Sequence, residues 1–180
     1  MKRSFWIAAM VFAAFLTEDG ACAADRNRTL GLSFAYNEFS AAYRMPLKSG
    51  EHLRISANLD MGGVISGKSL YPGISADAVY LFEFARTGFR NGESMVFMAG
   101  PGAAAGYVRD FEGVHGVMVS LAGCIGFEYL FAVPVSVTLS LEPCIGLHVS
   151  RDRFGYTVMS FYKAGMIYSL MPHLGLKYRF

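Results

Sequence analysis

His148 and Ser150, two residues apart, are the residues whose types and spacing could support catalysis. A histidine that accepts the proton of a serine hydroxyl makes the serine a nucleophile, and a third, polar or acidic residue orients the histidine. Asp152 is the last acidic residue of the chain, so no later carboxylate can serve as that third residue. On a strand, His148 also shares the parity of the polar side chains. The pattern therefore favours a polar strand end over a hydrolytic site.

Charged residues form a second group with possible chemistry, because they occupy alternate positions within otherwise apolar segments. In strands, such residues share the face opposite the apolar side chains. Unpaired ions on an enclosed face are costly to desolvate, so we expect salt bridges that fill the interior, with an ion path as the alternative. The predicted lumen charge network consists of Arg44, Arg54, Asp60, Asp77, Glu83, Glu128, Glu142, Lys177 and Arg179.

The sequence contains no pattern typical of a site for a metal ion, a cofactor or a nucleic acid. The four histidines lie in different segments without ligand spacing, and the three cysteines form no C-x-x-C pair. Gly100-Pro101-Gly102 lacks the Lys-Ser/Thr of a phosphate loop. The net charge of +2 is small and unclustered. We therefore expect no metal, no cofactor and no nucleic-acid partner.

The first 23 residues have the composition of a cleaved secretory signal peptide. Lys2 and Arg3 precede an apolar stretch over residues 5–16, and Ala21-Cys22-Ala23 supplies small residues for cleavage. Twelve apolar residues fall short of the ~20 that a membrane-spanning helix needs. The predicted organisation is a signal peptide over residues 1–23, followed by one domain over residues 24–180.

The rest of the chain is divided by turn residues into segments that alternate between apolar and polar side chains. The alternation is clearest in residues 52–62. There the apolar residues Leu53, Ile55, Ala57, Leu59 and Met61 alternate with the polar residues Arg54, Ser56, Asn58 and Asp60. Asn37-Glu38 and Val133-Pro134 are predicted turns, and residues 63–72, 109–115 and 150–163 are predicted loops. The predicted strands are residues 29–36, 39–47, 52–62, 73–86, 94–108, 116–132, a seventh that includes residues 136–148, and an eighth within 164–180.

These eight strands predict an all-β fold, a transmembrane antiparallel up-and-down β-barrel. The chain is 53% hydrophobic, yet the segment after residue 23 has no apolar run long enough for a transmembrane helix. Alternating strands resolve this, because half of the side chains face lipid while a closed sheet pairs every backbone group. An even number of strands places both termini in the periplasm, and the turns after the second, fourth and sixth strands with them.

The final nine residues support this fold by their alternation. Leu174, Leu176, Tyr178 and Phe180 would face lipid, while Lys177 and its polar neighbours would face the lumen. This ending resembles the closing strand of bacterial outer-membrane barrels, and the whole pattern resembles the small eight-stranded OmpA/OmpX-type family. The resemblance implies a monomer in the bacterial outer membrane, exported through the periplasm, in contact with membrane lipids and lipopolysaccharide. It also implies that the barrel-assembly machinery recognises the terminal strand.

The fold alone does not specify an activity, because such barrels include adhesins, envelope anchors, lipid enzymes and narrow pores. We expect a structural or surface-interaction role through loops 63–72, 109–115 and 150–163, without catalysis. A narrow pore is one alternative. The other is a lipid hydrolase, since His148-Val149-Ser150 resembles the catalytic centres of the outer-membrane phospholipase A family and the lipid A 3-O-deacylases. That resemblance would make Ser150 the nucleophile and His148 the base.

Cys124 and Cys144 lie ten residues before and ten after Pro134, with the same inward parity. If the hairpin is symmetric about Pro134, they are cross-strand partners with Cβ atoms ~4.5–5.5 Å apart, close to disulfide range. Export would place them in an oxidising compartment. We therefore expect a disulfide or a near-contact; a register slip of two residues would instead separate them diagonally as free thiols.

Overall fold

Ten strands and two short helices make up the described part of the chain, which in this computed structural model is residues 28–89, 91–110, 115–151, 154–168 and 171–180. The predicted signal peptide, residues 1–23, lies outside these ranges and stays a prediction. The strands are β1 (Thr29–Phe34), β2 (Glu38–Lys48), β3 (Glu51–Asp60), β4 (Gly73–Gly88), β5 (Ser94–Arg109), β6 (His115–Leu130), β7 (Val135–Leu141), β8 (Cys144–Arg151), β9 (Thr157–Phe161) and β10 (His173–Arg179). The helices are α1 (Gly62–Ile65) and α2 (Lys163–Tyr168).

The strands form one closed antiparallel barrel with eight positions in its wall. β1 to β6 pair in sequence order, and β6 then pairs with β7 along one half and with β8 along the other. Together β7 and β8 therefore act as one wall strand, interrupted at Glu142-Pro143. β10 pairs with both β7 and β1, which closes the sheet. The predicted all-β, eight-stranded antiparallel barrel is confirmed.

The two ends of the barrel differ. At one end, called here the turn end, β1 begins, β10 ends and short turns connect β2–β3, β4–β5 and β6–β7. Gly50 and Gly92 have φ of 77° in two of these turns, a conformation that glycine adopts without steric cost. The opposite end, called the mouth, contains the β3–β4, β5–β6 and β8–β9 connections. The longest connection between described strands, residues 61–72 between β3 and β4, therefore lies at the mouth.

The eighth position in the barrel wall is occupied by two strands, β9 and β10, instead of one. The sequence pattern did not predict this division. Residues 150–163 were expected to be a loop, but they include the end of β8 and all of β9, and α2 separates β9 from β10. The chain turns inward after β9, because Tyr162 and Ala164 pack against Val108 and Met118 in the mouth. The predicted loop 63–72 likewise begins in α1. Neither helix within the described residues is long and apolar enough to cross a bilayer.

Side chains alternate across the wall with the apolar ones outside. Leu121, halfway along β6, is 75% exposed, whereas the ions and amides of the same wall lie inside. Aromatic rings gather on the outer surface near the turn end, where Phe97 lies between Phe84 and Phe127 with ring centroids 6.2 and 6.1 Å away. The outward apolar side chains include Ile55, Leu59, Ile74, Tyr80, Phe82, Val117, Val119, Ile125, Leu139, Ile145, Leu147, Leu174 and Leu176.

The first hairpin turns one residue earlier than predicted. Ala35 N–H donates to the Glu38 carbonyl at 2.8 Å, so only Tyr36 and Asn37 form the loop. Glu38, expected in the turn, is instead the first residue of β2 and lies opposite Asp60 on β3. Because the loop is Tyr36-Asn37 rather than Asn37-Glu38, Glu38 joins β2, and this places a further carboxyl group on the inner face.

The expected pairing of Cys124 with Cys144 is wrong. Phe131 N–H donates to the Val135 carbonyl at 3.2 Å, so the hairpin is centred on Val133 rather than on Pro134. This one-residue shift of the centre places Cys144 opposite Ala122. Both thiols are free. Cys144 Sγ donates to Ser120 Oγ at 2.9 Å, while Arg54 Nη1 lies 3.7 Å from Cys124 Sγ.

Candidate functional site in the barrel interior

Glu128 forms the centre of an ion cluster in the interior near the turn end. Its oxygens accept hydrogen bonds from both terminal nitrogens of Arg44, at 2.6 and 3.2 Å, and from Ser136 Oγ at 2.5 Å. Lys177 Nζ lies 3.4 Å from the same carboxylate. These side chains meet because β2, β6, β7 and β10 each place an inward position at this level. Two cations around one buried carboxylate form the first layer of the interior, which we call the turn-end layer.

Arg54 forms the centre of a second cluster, the middle layer. Its terminal nitrogens donate to the two oxygens of Glu142 at 2.5 and 2.6 Å, in the fork geometry that guanidinium and carboxylate share. Arg54 also reaches Asp77 at 3.3 Å. Asn58 donates to the other oxygen of Asp77 at 2.7 Å, and Ser140 donates to Glu142 Oε1, which also accepts from Arg54, at 3.1 Å. The layer therefore pairs two acids with one base through several hydrogen bonds.

Three residues of the predicted charge network lie apart from these two clusters. Glu83 pairs with His52 at 3.0 Å and with Arg86 at 2.7 Å near the turn end. Asp60 Oδ1 accepts the backbone N–H two residues further on, at the start of α1, at 2.9 Å. Arg179 donates to two backbone carbonyl groups of the β6–β7 turn, each at 2.7 Å. The nine predicted residues thus form two layers and three local contacts rather than a single network.

An apolar plug occupies the mouth. Tyr162 and Ala164, which follow β9, are buried against Val108 and Met118. Ala164 N–H donates to Asp110 Oδ1 at 2.9 Å, which attaches the start of α2 to the end of β5. The sequence pattern missed this plug, because Tyr162 was placed in a loop and Ala164 at the start of a strand. Tyr162 and Ala164, the apolar residues on either side of Lys163, were the feature of the sequence that could have indicated a buried segment.

A small cavity separates the middle layer from the plug. Its volume is about 70 Å³, which is enough space for water molecules. Four carboxyl groups line it, together with Arg54 and His173. Glu38, which the sequence pattern assigned to a turn, is one of the four. The others are Asp60, Asp77 and Glu142.

The candidate catalytic pair does not have the geometry of a nucleophile and its base. His148 is 1% exposed, and its ring stacks on Tyr162 with centroids 6.2 Å apart. Nε2 lies 3.1 Å from the Val108 carbonyl oxygen, which can only accept, so this nitrogen bears the hydrogen. Within the described residues, no hydrogen bond joins His148 to Ser150. Ser150 lies opposite Val158 of β9, at the mouth.

The terminal strand places its apolar residues on the outer surface. Leu174, Leu176 and Tyr178 are each more than half exposed, and they alternate with inward residues that include Lys177. Phe180 N–H donates to the Arg28 carbonyl at 3.0 Å, which joins the two ends of the described chain.

The chain is similar to a known protein in structure but not in sequence. No protein-family model matches the sequence, and no curated protein matches it. Among solved structures, the chain is similar to the N-terminal β-barrel domain of Pseudomonas aeruginosa OprF, with 12% sequence identity and a TM-score of 0.48. The similarity covers 85% of this chain and 95% of that one.

Proposed function

We propose that this chain is an integral protein of the bacterial outer membrane, whose sealed barrel supports a surface-interaction role at the mouth. The observation that supports the proposal most directly is the inverted polarity of the barrel. Apolar side chains cover the outside, whereas Arg44, Arg54 and Glu128 are buried inside. Soluble proteins rarely expose a continuous apolar surface of this extent, but a transmembrane barrel requires one.

The arrangement of the interior favours a structural barrel over a pore. The turn-end layer, the middle layer and the apolar plug follow one another along the axis, and their ions are paired with each other. Small barrels are generally filled by their own side chains in this way. An ion crossing the barrel would have to displace both clusters and the plug, so we propose that the wild-type barrel does not conduct.

The mouth is the proposed interaction surface. An even-stranded barrel with both termini at the turn end places that end in the periplasm and the mouth outside the cell. Leu70, Tyr71, Phe154 and Tyr156 project from the mouth connections and are each more than 70% exposed. Lys68 is exposed in the same region. Apolar and basic groups together suit the acyl chains and phosphates of lipopolysaccharide, which we propose as a contact of this surface.

Assembly of the barrel would depend on β10. We propose that the barrel-assembly machinery recognises this strand through Leu174, Leu176, Tyr178 and Phe180. The alternating outward exposure of β10 supports this assignment, as does its position as the strand that closes the barrel with β1.

Membrane fractionation and gel mobility test the membrane proposal. The chain should sediment with outer membranes and resist extraction by alkaline carbonate. Its folded form should migrate faster than its boiled form on a detergent gel. A chain recovered in the soluble periplasmic fraction would contradict the proposal.

Planar-bilayer conductance separates the sealed barrel from a pore. The refolded wild-type chain should give no channels, and the double variant Arg54→Ala, Glu142→Ala should stay closed as well, because it keeps the turn-end layer and the plug. Steady channels from the wild-type chain would favour the pore. Gel mobility of both proteins serves as the control for folding.

A further inference from the structure

A pocket of about 480 Å³, called here the turn-end pocket, opens at the turn end of the barrel. Its wall consists of residues 48–50 in the β2–β3 turn, His52 near the start of β3, and residues 83–86 near the end of β4. Glu83 N–H donates to the Gly50 carbonyl at 2.8 Å, which holds the turn against β4. Ligand sites commonly have volumes of roughly 300–1,000 Å³, so this pocket is large enough for a lipid headgroup.

A β-bulge in β4 brings two charged residues to the same side of the wall. The register with β5 shifts between Glu83 and Ala85, so Phe84 is an extra residue without a partner on β5. Arg86 then lies opposite Val96, which is buried inside the barrel, and it shares the inner face with Glu83. Regular alternation would have placed Arg86 outside with Phe84. Bulges often redirect a side chain in this way beside a functional site.

Basic groups outnumber acidic groups in the turn-end pocket. Lys48, Arg86 and His52 line it, and Glu83 is the one carboxylate among its lining residues. The charge of Glu83 is already neutralised, because Arg86 lies 2.7 Å and His52 3.0 Å from its oxygens. Lys48 is exposed, and no ion pair within the described residues involves it; Glu51, opposite it in the ladder, does not line the pocket. The pocket is therefore positively charged even when the His52 ring is neutral.

His52 supplies a polar atom for which the described residues offer no partner. The residue is only 6% exposed, and its Nε2 lies 3.0 Å from the Glu83 carboxylate, which makes that nitrogen the donor. Nδ1 is then an acceptor in the neutral ring. It is buried and has no hydrogen-bond partner within the described residues. Buried polar atoms are nearly always hydrogen-bonded, and a hydroxyl group of a bound molecule can donate to this one.

The turn-end pocket also adjoins the apolar outer surface. Phe84 lines the pocket, is 55% exposed, and lies 6.2 Å from the Phe97 ring in the aromatic group near the turn end. Aromatic rings on the outside of membrane barrels mark the level of the membrane–water interface. A lipid beside Phe84 can therefore keep its acyl chains on the outer surface while its headgroup enters the pocket.

We propose that the turn-end pocket binds the headgroup of an anionic phospholipid from the periplasmic leaflet. The phosphate would lie between Lys48 and Arg86, and a headgroup hydroxyl would donate to His52 Nδ1. Zwitterionic lipids would bind less well, because Lys48 and Arg86 repel their ammonium group. This inference rests on the proposed membrane location and orientation. It concerns the opposite end of the barrel, and the opposite leaflet, from the contact with lipopolysaccharide proposed for the mouth.

Lipid titration of the protein, purified from outer membranes in mild detergent, tests the proposal by native mass spectrometry. The wild-type chain should bind one phosphatidylglycerol roughly tenfold more tightly than phosphatidylcholine, as expected for a charge-assisted contact. The double variant Lys48→Gln, Arg86→Gln should lose this preference. The matched control is Lys68→Gln, Arg151→Gln, which removes two exposed positive charges at the mouth and should keep the preference. Gel mobility shows whether each variant is folded.

Glu83→Gln provides a test of opposite sign. This change removes the carboxylate of the pocket and releases Arg86, so phosphatidylglycerol should bind more tightly than it does to the wild-type chain. Weaker binding in Glu83→Gln, equal binding of the two lipids by the wild-type chain, or an unchanged preference in Lys48→Gln, Arg86→Gln would each overturn the inference. Displacement of the lipid by inorganic phosphate, but not by chloride at the same ionic strength, would show a site for free phosphate and would also overturn it. A folded barrel in the outer membrane without the lipid preference overturns only the lipid site, whereas a chain absent from the membrane overturns the proposed function.

Discussion

Replacing Leu121 with arginine should lower the folding stability of a membrane barrel but not that of a water-soluble barrel of the same shape. Leu121 lies on the outer face of β6 between Ala103 and Ile145, and it is 75% exposed. In water, an arginine at so exposed a position is accommodated easily, and surface substitutions usually change stability by no more than about 0.5 kcal/mol. In a bilayer the same side chain would face hydrocarbon.

The expected magnitude follows from the depth of Leu121. It is six residues from the mouth end of β6, or about 15 Å below that end for a strand inclined by about 40°. An arginine side chain cannot cover that distance, so its charge would remain near the bilayer centre. An outward Arg at that depth costs about 2–4 kcal/mol, which lowers the folding equilibrium constant roughly 30- to 700-fold.

Urea unfolding of the refolded protein in lipid vesicles, followed by the gel-mobility shift, measures this difference. Leu70→Arg is the matched control, because Leu70 is 88% exposed in the β3–β4 connection and should tolerate the same substitution. Val117→Arg, closer to the mouth, should cost only about 0–1 kcal/mol. If Leu121→Arg destabilises the barrel no more than Leu70→Arg does, the outer surface of β6 does not face lipid and the membrane proposal fails.

Three further predictions concern the interior, the terminal strand and the candidate catalytic pair. Glu128→Gln leaves Arg44 buried without its counter-ion and should lower the unfolding free energy by about 3–5 kcal/mol in the same urea assay, whereas Glu83→Gln, in a more exposed pair, should cost about 1 kcal/mol or less. Phe180→Ala should reduce the amount of folded barrel in outer membranes, measured by gel mobility; unchanged levels would argue against recognition of β10. Ser150→Ala should leave the acyl chains of lipid A and phospholipids unchanged by mass spectrometry, and an altered acyl pattern would restore the hydrolase interpretation.

The sequence was sufficient to predict the barrel and its inner face, because both depend on alternation within single strands. Arg54 and Glu142 show the limit of that information. The parity of each residue is visible locally, but their contact across 88 residues depends on the register of the closed sheet. A sequence without an alignment offers no measure of that register, so the division into two ion layers could not be foreseen.

The two cysteines show how sensitive such predictions are to a turn. Moving the centre of the hairpin from Pro134 to Val133 shifts every cross-strand partner by two residues and separates Cys124 from Cys144. Both residues keep the same parity under this shift, so alternation cannot reveal it. Strand β9 was missed for a different reason. Its sequence, TVMSF, mixes apolar and polar residues without alternation, as befits a strand that is exposed on both faces.

The split eighth wall position also makes the barrel uneven along its axis. At the turn end, β1, β7 and β10 form continuous ladders around the turn-end layer, and Arg44 and Lys177 are paired with Glu128. At the mouth, the sheet formed by the described residues ends at β9, so the wall is interrupted there. Local stability falls where backbone hydrogen bonds are exposed and apolar burial is low, and binding segments are commonly found in such regions. The interruption beside β9 therefore places the adaptable part of the barrel at the end where surface contacts are proposed.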